Sequence, residues 1–383
     1  MRMCLGVINQ STKRIARIIA LSSLVFSSSS LMAQAESAPS PSRVILFIID
    51  GLAVGTVERF KMPILQQLAK DGVHYRTMHL PLPGHPEKSE EYPWTCSMPN
   101  PMLMSGSPFI GVKDIRESLI QHQFDGKGTA FVVNARSYLD VSGGFATYIS
   151  EPHKPDSLVI EKTQEVLLKE KPVFMRVHLQ RAGIEGEKLS KEAYAERPYY
   201  RNIWHETSPY REACEQADQQ LGNFVAWLKK ENLWDGTVLL ICGDHGQADE
   251  GWHEPYSAVA NRTPLIIAGS GVAAGRSFEY CEIFDIAPTI ASLTARKPPT
   301  HSIGRVLSEA FDPKQSPPEY PRLVEQLNEV LIAANRLSDD KKETLHKAGF
   351  LPLNAVCIWH STEVGTDFKA FVTRQKNLFE SNK

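Results

Sequence analysis

The sequence predicts an α/β sandwich built on a largely parallel central sheet, and three observations predict it. Short apolar runs recur along the chain, helical patterns separate them, and acidic or histidine-bearing segments follow directly after several of the runs. The first run, Val44 to Ile49, is rich in β-formers and lacks alternation, as a strand buried on both faces does. Thr129 to Val133, Val173 to Val177, Thr237 to Cys242 and Pro264 to Ala268 share that character. Between them, Met62 to Lys70, Ser157 to Lys169 and Tyr210 to Lys230 read as helices, the last with Leu221, Phe224, Val225 and Leu228 at helical spacing. Leu80 to Trp94, rich in Pro, Glu and His, reads as an irregular loop.

The first residues carry the three parts of a secretory signal. Lys13, Arg14 and Arg17 precede the apolar stretch Ile18 to Phe26, and Ala33-Gln34-Ala35 follows. The expectation is a signal peptide over residues 1–35, cleavage near Ala35, and a periplasmic or secreted protein. A linker over 36–42 (Glu-Ser-Ala-Pro-Ser-Pro-Ser) leads into one large domain over 43–383. No later segment reaches the roughly 20 apolar residues of a membrane helix, so stable membrane insertion is not expected. A formal net charge of -2 argues against a polyanion-binding surface, and nucleic acid is not an expected partner. Beyond the signal, Cys96, Cys214, Cys242, Cys281 and Cys357 lack metal-knuckle or dense-disulfide spacing, and their odd number leaves at least one unpaired.

Ligand groups in parallel sheets collect beyond the carboxyl ends of strands. Asp50 ends the first strand there; taken alone, an Asp-Gly turn with Gly51 accounts for it. Gly243-Asp244-His245-Gly246 follows another strand and places a carboxylate beside an imidazole, a mixed O/N set suited to zinc or manganese. His253 comes eight residues later. In Trp94 to Gly106, Pro near the start and Gly just past the end bracket a short apolar helix, so that Thr95, Cys96 and Ser97 lie ahead of its N-terminus. A nucleophile there would face the positive end of the helix dipole, whereas an ordinary N-cap is the plain alternative.

These segments together resemble the alkaline phosphatase/sulfatase superfamily. The resemblance runs, in order, through the strand ending in Asp50-Gly51, the segment Met62 to Gly72, the helix ending in Ser105-Gly106, the helix with Asp218 and Gly222, Gly236 to Gly246, Thr263 to Gly269, and Phe284 to Thr289. It implies an alkaline phosphatase-like three-layer sandwich. It further implies that Asp50, Asp244 and His245 bind a divalent metal while a hydroxyl at the helix start attacks the ester, the cation lowering the nucleophile's pKa.

The chain also departs from the family pattern. Two-metal members carry a second Asp and His; here Gln180 and Ile184 stand in those places, and of the second ligand set His253 survives. One tight site, for Zn or Mn, is therefore expected, with Arg181 a candidate to replace the missing positive charge and a plain surface Arg as the alternative. Ser97-Met98-Pro99-Asn100 resembles the nucleotide pyrophosphatase pattern with Ser97 as nucleophile, while the sulfatase spacing points to Cys96. Formylglycine formation needs C-x-P-x-R, and Cys96-Ser97-Met98-Pro99-Asn100 lacks both the Pro and the Arg at their places. Ser97 is favoured, with Cys96 as the alternative and Asn100 as a donor to a phosphoryl oxygen. His178, on a buried strand, reads as a satisfied core histidine; His205 falls where the superfamily often draws substrate-binding groups, and Tyr199 to Trp204 could wall a cleft or pack as a loop.

The leading functional expectation is an exported hydrolase of phosphate mono- or diesters working through a covalent phospho-enzyme. The alternatives are a sulfatase-like hydrolase, a phospho-group transferase, or a non-catalytic binding protein of the same fold. The partner would be a small-molecule or glycan- or lipid-linked phosphate or sulfate ester.

Overall fold

In the computed structural model, the described residues are 41–82, 99–108, 118–253, 257–319, 321–350 and 367–383. The strands are β1 (Arg43–Ile49), β2 (Val73–His79), β3 (Thr129–Val133), β4 (Thr147–Ser150), β5 (Phe174–Leu179), β6 (Thr237–Cys242), β7 (Arg262–Gly269), β8 (Arg276–Phe278) and β9 (Cys281–Glu282). The α-helices are α1 (Thr56–Arg59), α2 (Pro63–Asp71), α3 (Pro99–Ser105), α4 (Leu139–Ser142), α5 (Asp156–Glu170), α6 (Arg181–Lys188), α7 (Pro209–Lys230), α8 (Ile286–Leu293), α9 (Leu323–Asn335), α10 (Asp339–Lys347) and α11 (Phe368–Asn382).

The strands form one sheet in the order β4-β3-β5-β1-β6-β7-β2-β8, with β9 also on β2. β1 lies at its middle, parallel to β5 on one side and β6 on the other. The expected apolar strands all form, and the sheet is largely parallel. The exception among them is β7, antiparallel to β6 and to β2. Its direction has a simple cause: the connection over 243–261 has no helix among its described residues, and a parallel return needs a long crossover, usually helical. β2 was not anticipated, because His74 and Arg76 interrupt its apolar character and its pairing with β7 shifts register between Tyr75 and Met78.

Alternation along the strands builds a core on each face of the sheet. Val44, Leu46 and Ile48 of β1 join α3, α8, α9 and α11 on one face. Ile45, Phe47 and Ile49 join α2, α5 and α7 on the other. Each such fully buried side chain stabilises the fold by roughly 1.5–3 kcal/mol, which is why continuous apolar runs mark the central strands.

Two motif residues act in packing. Asp218 of α7 accepts hydrogen bonds from the Ile64 and Leu65 amides at 3.1 and 2.8 Å, capping the otherwise unsatisfied N-terminus of α2. Gly106 adopts φ +67° directly after α3, as expected, and returns its N–H to the Met102 carbonyl at 2.8 Å. Cys214, Cys242 and Cys281 are buried free thiols; Cys96 and Cys357 lie outside the described residues. No helix among the described residues is long and apolar enough to cross a membrane.

Candidate functional site

The site is assembled at the carboxyl ends of three adjacent strands. Asp50 follows β1 directly, Gln180 follows β5 directly, and Asp244 comes two residues after β6. Along β5 and the residue directly after it, Arg176, His178 and Gln180 recur at the strand period of two and so share a face. Helix α3 packs on that same face through Met102, Leu103 and Met104 and delivers Asn100 to the cluster.

Asp50 and Asp244 are both buried, and each of their oxygens has a defined role. Asp50 Oδ2 accepts from Tyr138 OH at 2.9 Å, from Gln180 Nε2, and faces His178 Nε2 at 3.2 Å. Tyr138 OH in turn accepts from Gln180 Nε2 at 2.6 Å. Asp244 Oδ2 accepts from Asn100 Nδ2 at 2.8 Å, and its Oδ1 accepts from the backbone N–H groups of His245 and Gly51 at 3.1 and 3.3 Å. The remaining relationship is the informative one. His245 Nε2 stands 3.7 Å from Asp50 Oδ1 and 3.8 Å from Asp244 Oδ1.

Adjacent ligand atoms around a four-coordinate zinc, each about 2.1 Å from the ion, are separated by roughly 3.4 Å. His245 Nε2 therefore stands close to a ligand–ligand spacing from one oxygen of each carboxylate. His245 Nδ1 lies 2.8 Å from the Gly246 carbonyl, which can only accept, so Nδ1 carries a proton and Nε2 is the atom left to present a lone pair to an ion. In the grouping of Asp50, His178 and Asp244, one ligand-type atom from each residue lies within 4.8 Å of the others.

Burial and the neighbouring charges act in different directions on the groups of the cluster. Burial pushes the Asp50 carboxyl above its ordinary range, against the pull of His245, Tyr138, Gln180 and Arg176. Burial favours neutral His245, but the neighbouring Asp244 and Asp50 and the Gly246 carbonyl outweigh it and raise that imidazole. Burial moves His178 the other way, down to about 3, and Arg176 beside it acts in the same direction.

A cavity of about 170 Å³ opens above the cluster, lined by Asp50, Tyr138, Gln180, His245 and His253 and, around them, Ser137, Gly183, Ile184, Glu187 and Trp252. The His253 ring lies edge-on to His245 at 4.2 Å and stacks on Trp252 at 4.4 Å. Gln180 is a donor to Asp50 and Ile184 an apolar part of the wall; neither is placed as a metal ligand.

Other anticipated residues sit elsewhere or do something different. Arg181 turns out onto α7, toward Gln216 and 3.8 Å from Glu212, and does not line the cavity. The outward direction follows from its place at the first position of α6, one residue beyond the strand alternation that holds Gln180 inward. His205 is half-buried and receives the Thr207 N–H at 3.2 Å, again away from the cavity. Trp204 packs on Phe60 and donates to Asp249 at 2.6 Å, so this aromatic segment includes a packed loop residue. Asn100, expected to serve substrate, directs an amide hydrogen at Asp244. Cys96 and Ser97 lie outside the described residues.

Sequence reasoning missed Tyr138 and Arg176. Tyr138 carried no local signal. Arg176 did: it is a charge in the middle of an otherwise apolar strand, and it is wholly buried. Its NH2 donates to Asn100 Oδ1 and lies 3.1 Å from His178 Nδ1, while the guanidinium carbon sits 4.7 Å from the Phe131 ring centroid. His178, expected to be a satisfied core histidine, is indeed buried and bonded, but it lies within the carboxylate cluster.

Comparison with known proteins adds a family signal to this geometry. Residues 86–295 match the family model described as Sulfatase. Choline-sulfatase of Rhizobium meliloti (strain 1021) is 32% identical over 80 residues, which cover 20% of this chain and only 16% of that protein. Among solved structures, the phosphonate monoester hydrolase from Silicibacter pomeroyi superposes with a TM-score of 0.53 at 15% identity, covering 73% of this chain and 78% of that one. The lipoteichoic acid synthase LtaP from Listeria monocytogenes gives 0.50 at 15% identity, covering 70% and 74%. At such identities the structural likeness is one of fold.

Proposed function

The chain belongs to the sulfatase family, and from that premise we propose that it is a metal-dependent hydrolase of phosphate or sulfate esters, with phosphate mono- or diesters as the favoured class. The observation that carries this reading is the buried pair Asp50 and Asp244, with His245 Nε2 3.7 and 3.8 Å from one oxygen of each. Asp50, Asp244 and His245 would hold one divalent ion, zinc or manganese by donor type. When bound, that ion supplies charge neutralisation at the ester oxygens and lowers the pKa of the attacking hydroxyl.

The chain's own residues perform the remaining work. Ser97, three residues before Asn100 in the chain, is the proposed nucleophile. Its Oγ forms a bond to phosphorus as the ester P–O bond breaks, and the serine proton balances the one taken up by the leaving alkoxide. Water then cleaves the bond between phosphorus and Ser97 Oγ, releasing phosphate from a monoester or the remaining monoester from a diester and restoring the hydroxyl. Tyr138 and Gln180 hold Asp50 by its Oδ2 and leave Oδ1 facing His245. Asn100 holds Asp244 by its Oδ2. The small cavity suits the anionic head of an ester, and Trp252, Ile184 and Glu187 are part of its lining.

A sulfate ester is the second reading, favoured by the family model itself. Against it stands the sequence around Cys96, which lacks the Pro and Arg that formylglycine formation requires. Elemental analysis of the purified protein, alongside turnover of phosphate monoesters, phosphate diesters and sulfate esters, tests both. About one zinc or manganese per chain with phosphate-ester turnover is expected. Absence of both metal uptake and turnover would leave only a binding protein of this fold. On the same proposal the enzyme works outside the cytoplasm after cleavage near Ala35, and an intact Met1 on native cytoplasmic protein would refute that part.

A further inference from the structure

We infer that Arg176 is a positioning residue that sets the direction of two hydrogen-bonded arms ending on Asp50 and Asp244, and thereby decides which of the two facing histidines can bind a metal ion. The argument starts from a property of the side chain. A guanidinium has donors and no acceptor. Arg176 NH2 has two hydrogens, and its partners in the site are Asn100 Oδ1 and His178 Nδ1, the latter at 3.1 Å.

Each arm is then polarised along its length. Because the Asn100 carbonyl oxygen must face the guanidinium, its Nδ2 must face outward, and it meets Asp244 Oδ2 at 2.8 Å as a donor. Because His178 Nδ1 must accept, it carries no proton, so the ring proton sits on Nε2, 3.2 Å from Asp50 Oδ2. His178 therefore offers the carboxylates a hydrogen where a metal ligand would need a lone pair. His245 has the reverse arrangement, with Nδ1 donating to the Gly246 carbonyl at 2.8 Å, so that Nε2 is the nitrogen able to give a lone pair to an ion. By position His178 groups with both carboxylates within 4.8 Å, and His245 Nε2 lies 3.7 and 3.8 Å from one oxygen of each; the buried arginine takes the His178 lone pair and leaves His245 as the ligand.

The inference rests on the metal reading for its consequence but not for its polarity, and the experiment separates the two. Histidine labelled with 15N in the metal-free protein reports each ring's tautomer, with His178→Gln and His245→Gln variants assigning the signals. The expected result is a neutral His178 protonated on Nε2, and a His245 that keeps a proton on Nδ1 with and without zinc. The opposite tautomer at His178 overturns the inference, with no variant of Arg176 needed.

Zinc titration then reads the consequence. His245→Gln is expected to weaken zinc binding at least a hundredfold and His178→Gln less than tenfold. In an Arg176→Met background, where His178 is free to exchange tautomers, the two losses should converge, and Arg176→Lys, still donor-only, should restore the difference. Equal losses in the otherwise native protein would also overturn the inference. If the native protein binds no zinc, the metal reading fails while the tautomer spectra still decide the role of Arg176.

Discussion

Gly183 lies so close to Asp50 that a Cβ on it would stand 1.8 Å from Asp50 Oδ1, the oxygen that faces His245. Helix α6 thus reaches the site through a position where hydrogen is the only side chain that fits. Gly183→Ala should displace the Asp50 carboxylate and lower both zinc affinity and ester turnover at least tenfold. Gly143→Ala is the control, since a Cβ there meets nothing within 4 Å. Equal behaviour of the two variants would mean that Asp50 does not need its present position.

Removal of the Asp218 carboxylate should act on stability and not on the site. Its two bonds to the Ile64 and Leu65 amides cap α2 on the face of the sheet opposite α3. Asp218→Ala should cost about 1–2 kcal/mol, the usual loss for a cap, measured by urea unfolding, with zinc affinity unchanged. A loss of zinc binding without a loss of stability would contradict this assignment.

The pH dependence of stability should have a component from His79, remote from the cluster. Its ring is buried and packs 4.5 Å from Tyr280. Burial, with Arg262 and Arg322 nearby, pushes its imidazole down to about 3. The unfolded chain, with an ordinary value near 6.5, then binds more protons than the folded one as pH falls. The contribution is complete above about pH 6.5 and is lost progressively toward pH 3. His74 is shifted in the same direction by its own burial and adds to the slope. His79→Phe, which keeps an aromatic ring against Tyr280, should remove part of the loss between pH 7 and 5, on the order of 2 kcal/mol at most. Urea midpoints that fall equally in both proteins would argue against it.

The nucleophile is tested most directly by paired substitutions. Ser97→Ala should remove any covalent intermediate and lower turnover by about three orders of magnitude or more, while Cys96→Ala should be mild. The reverse outcome would assign the role to Cys96, and intact-protein mass would then show whether the cysteine is modified. Asp244→Asn should depress turnover in either case by weakening the metal site.

Much of this protein was readable without coordinates, for a local reason. A strand buried on both faces must be continuously apolar, so Val44 to Ile49 and Thr237 to Cys242 announced themselves, and the acids directly beyond them stood out against that background. Asp50, Asp244 and His245 belong to that class, and the structure brings all three together. The period of two that aligns Arg176, His178 and Gln180 was also present in the residues. Its meaning was not, because a charge within an apolar strand is costly unless bonded, and nothing in β5 itself supplies the bonds. The partners come from elsewhere: Asp50 from the neighbouring strand, Asn100 from α3, Tyr138 from the residue just ahead of α4. Only the sheet order, with β1 between β5 and β6, makes those distant residues neighbours. The same holds for Arg181, which one residue of chain turns from the cavity to the surface of α7. Residue type and local period determined the strands and the acids at their ends; which groups face one another was decided by how the strands are laid side by side.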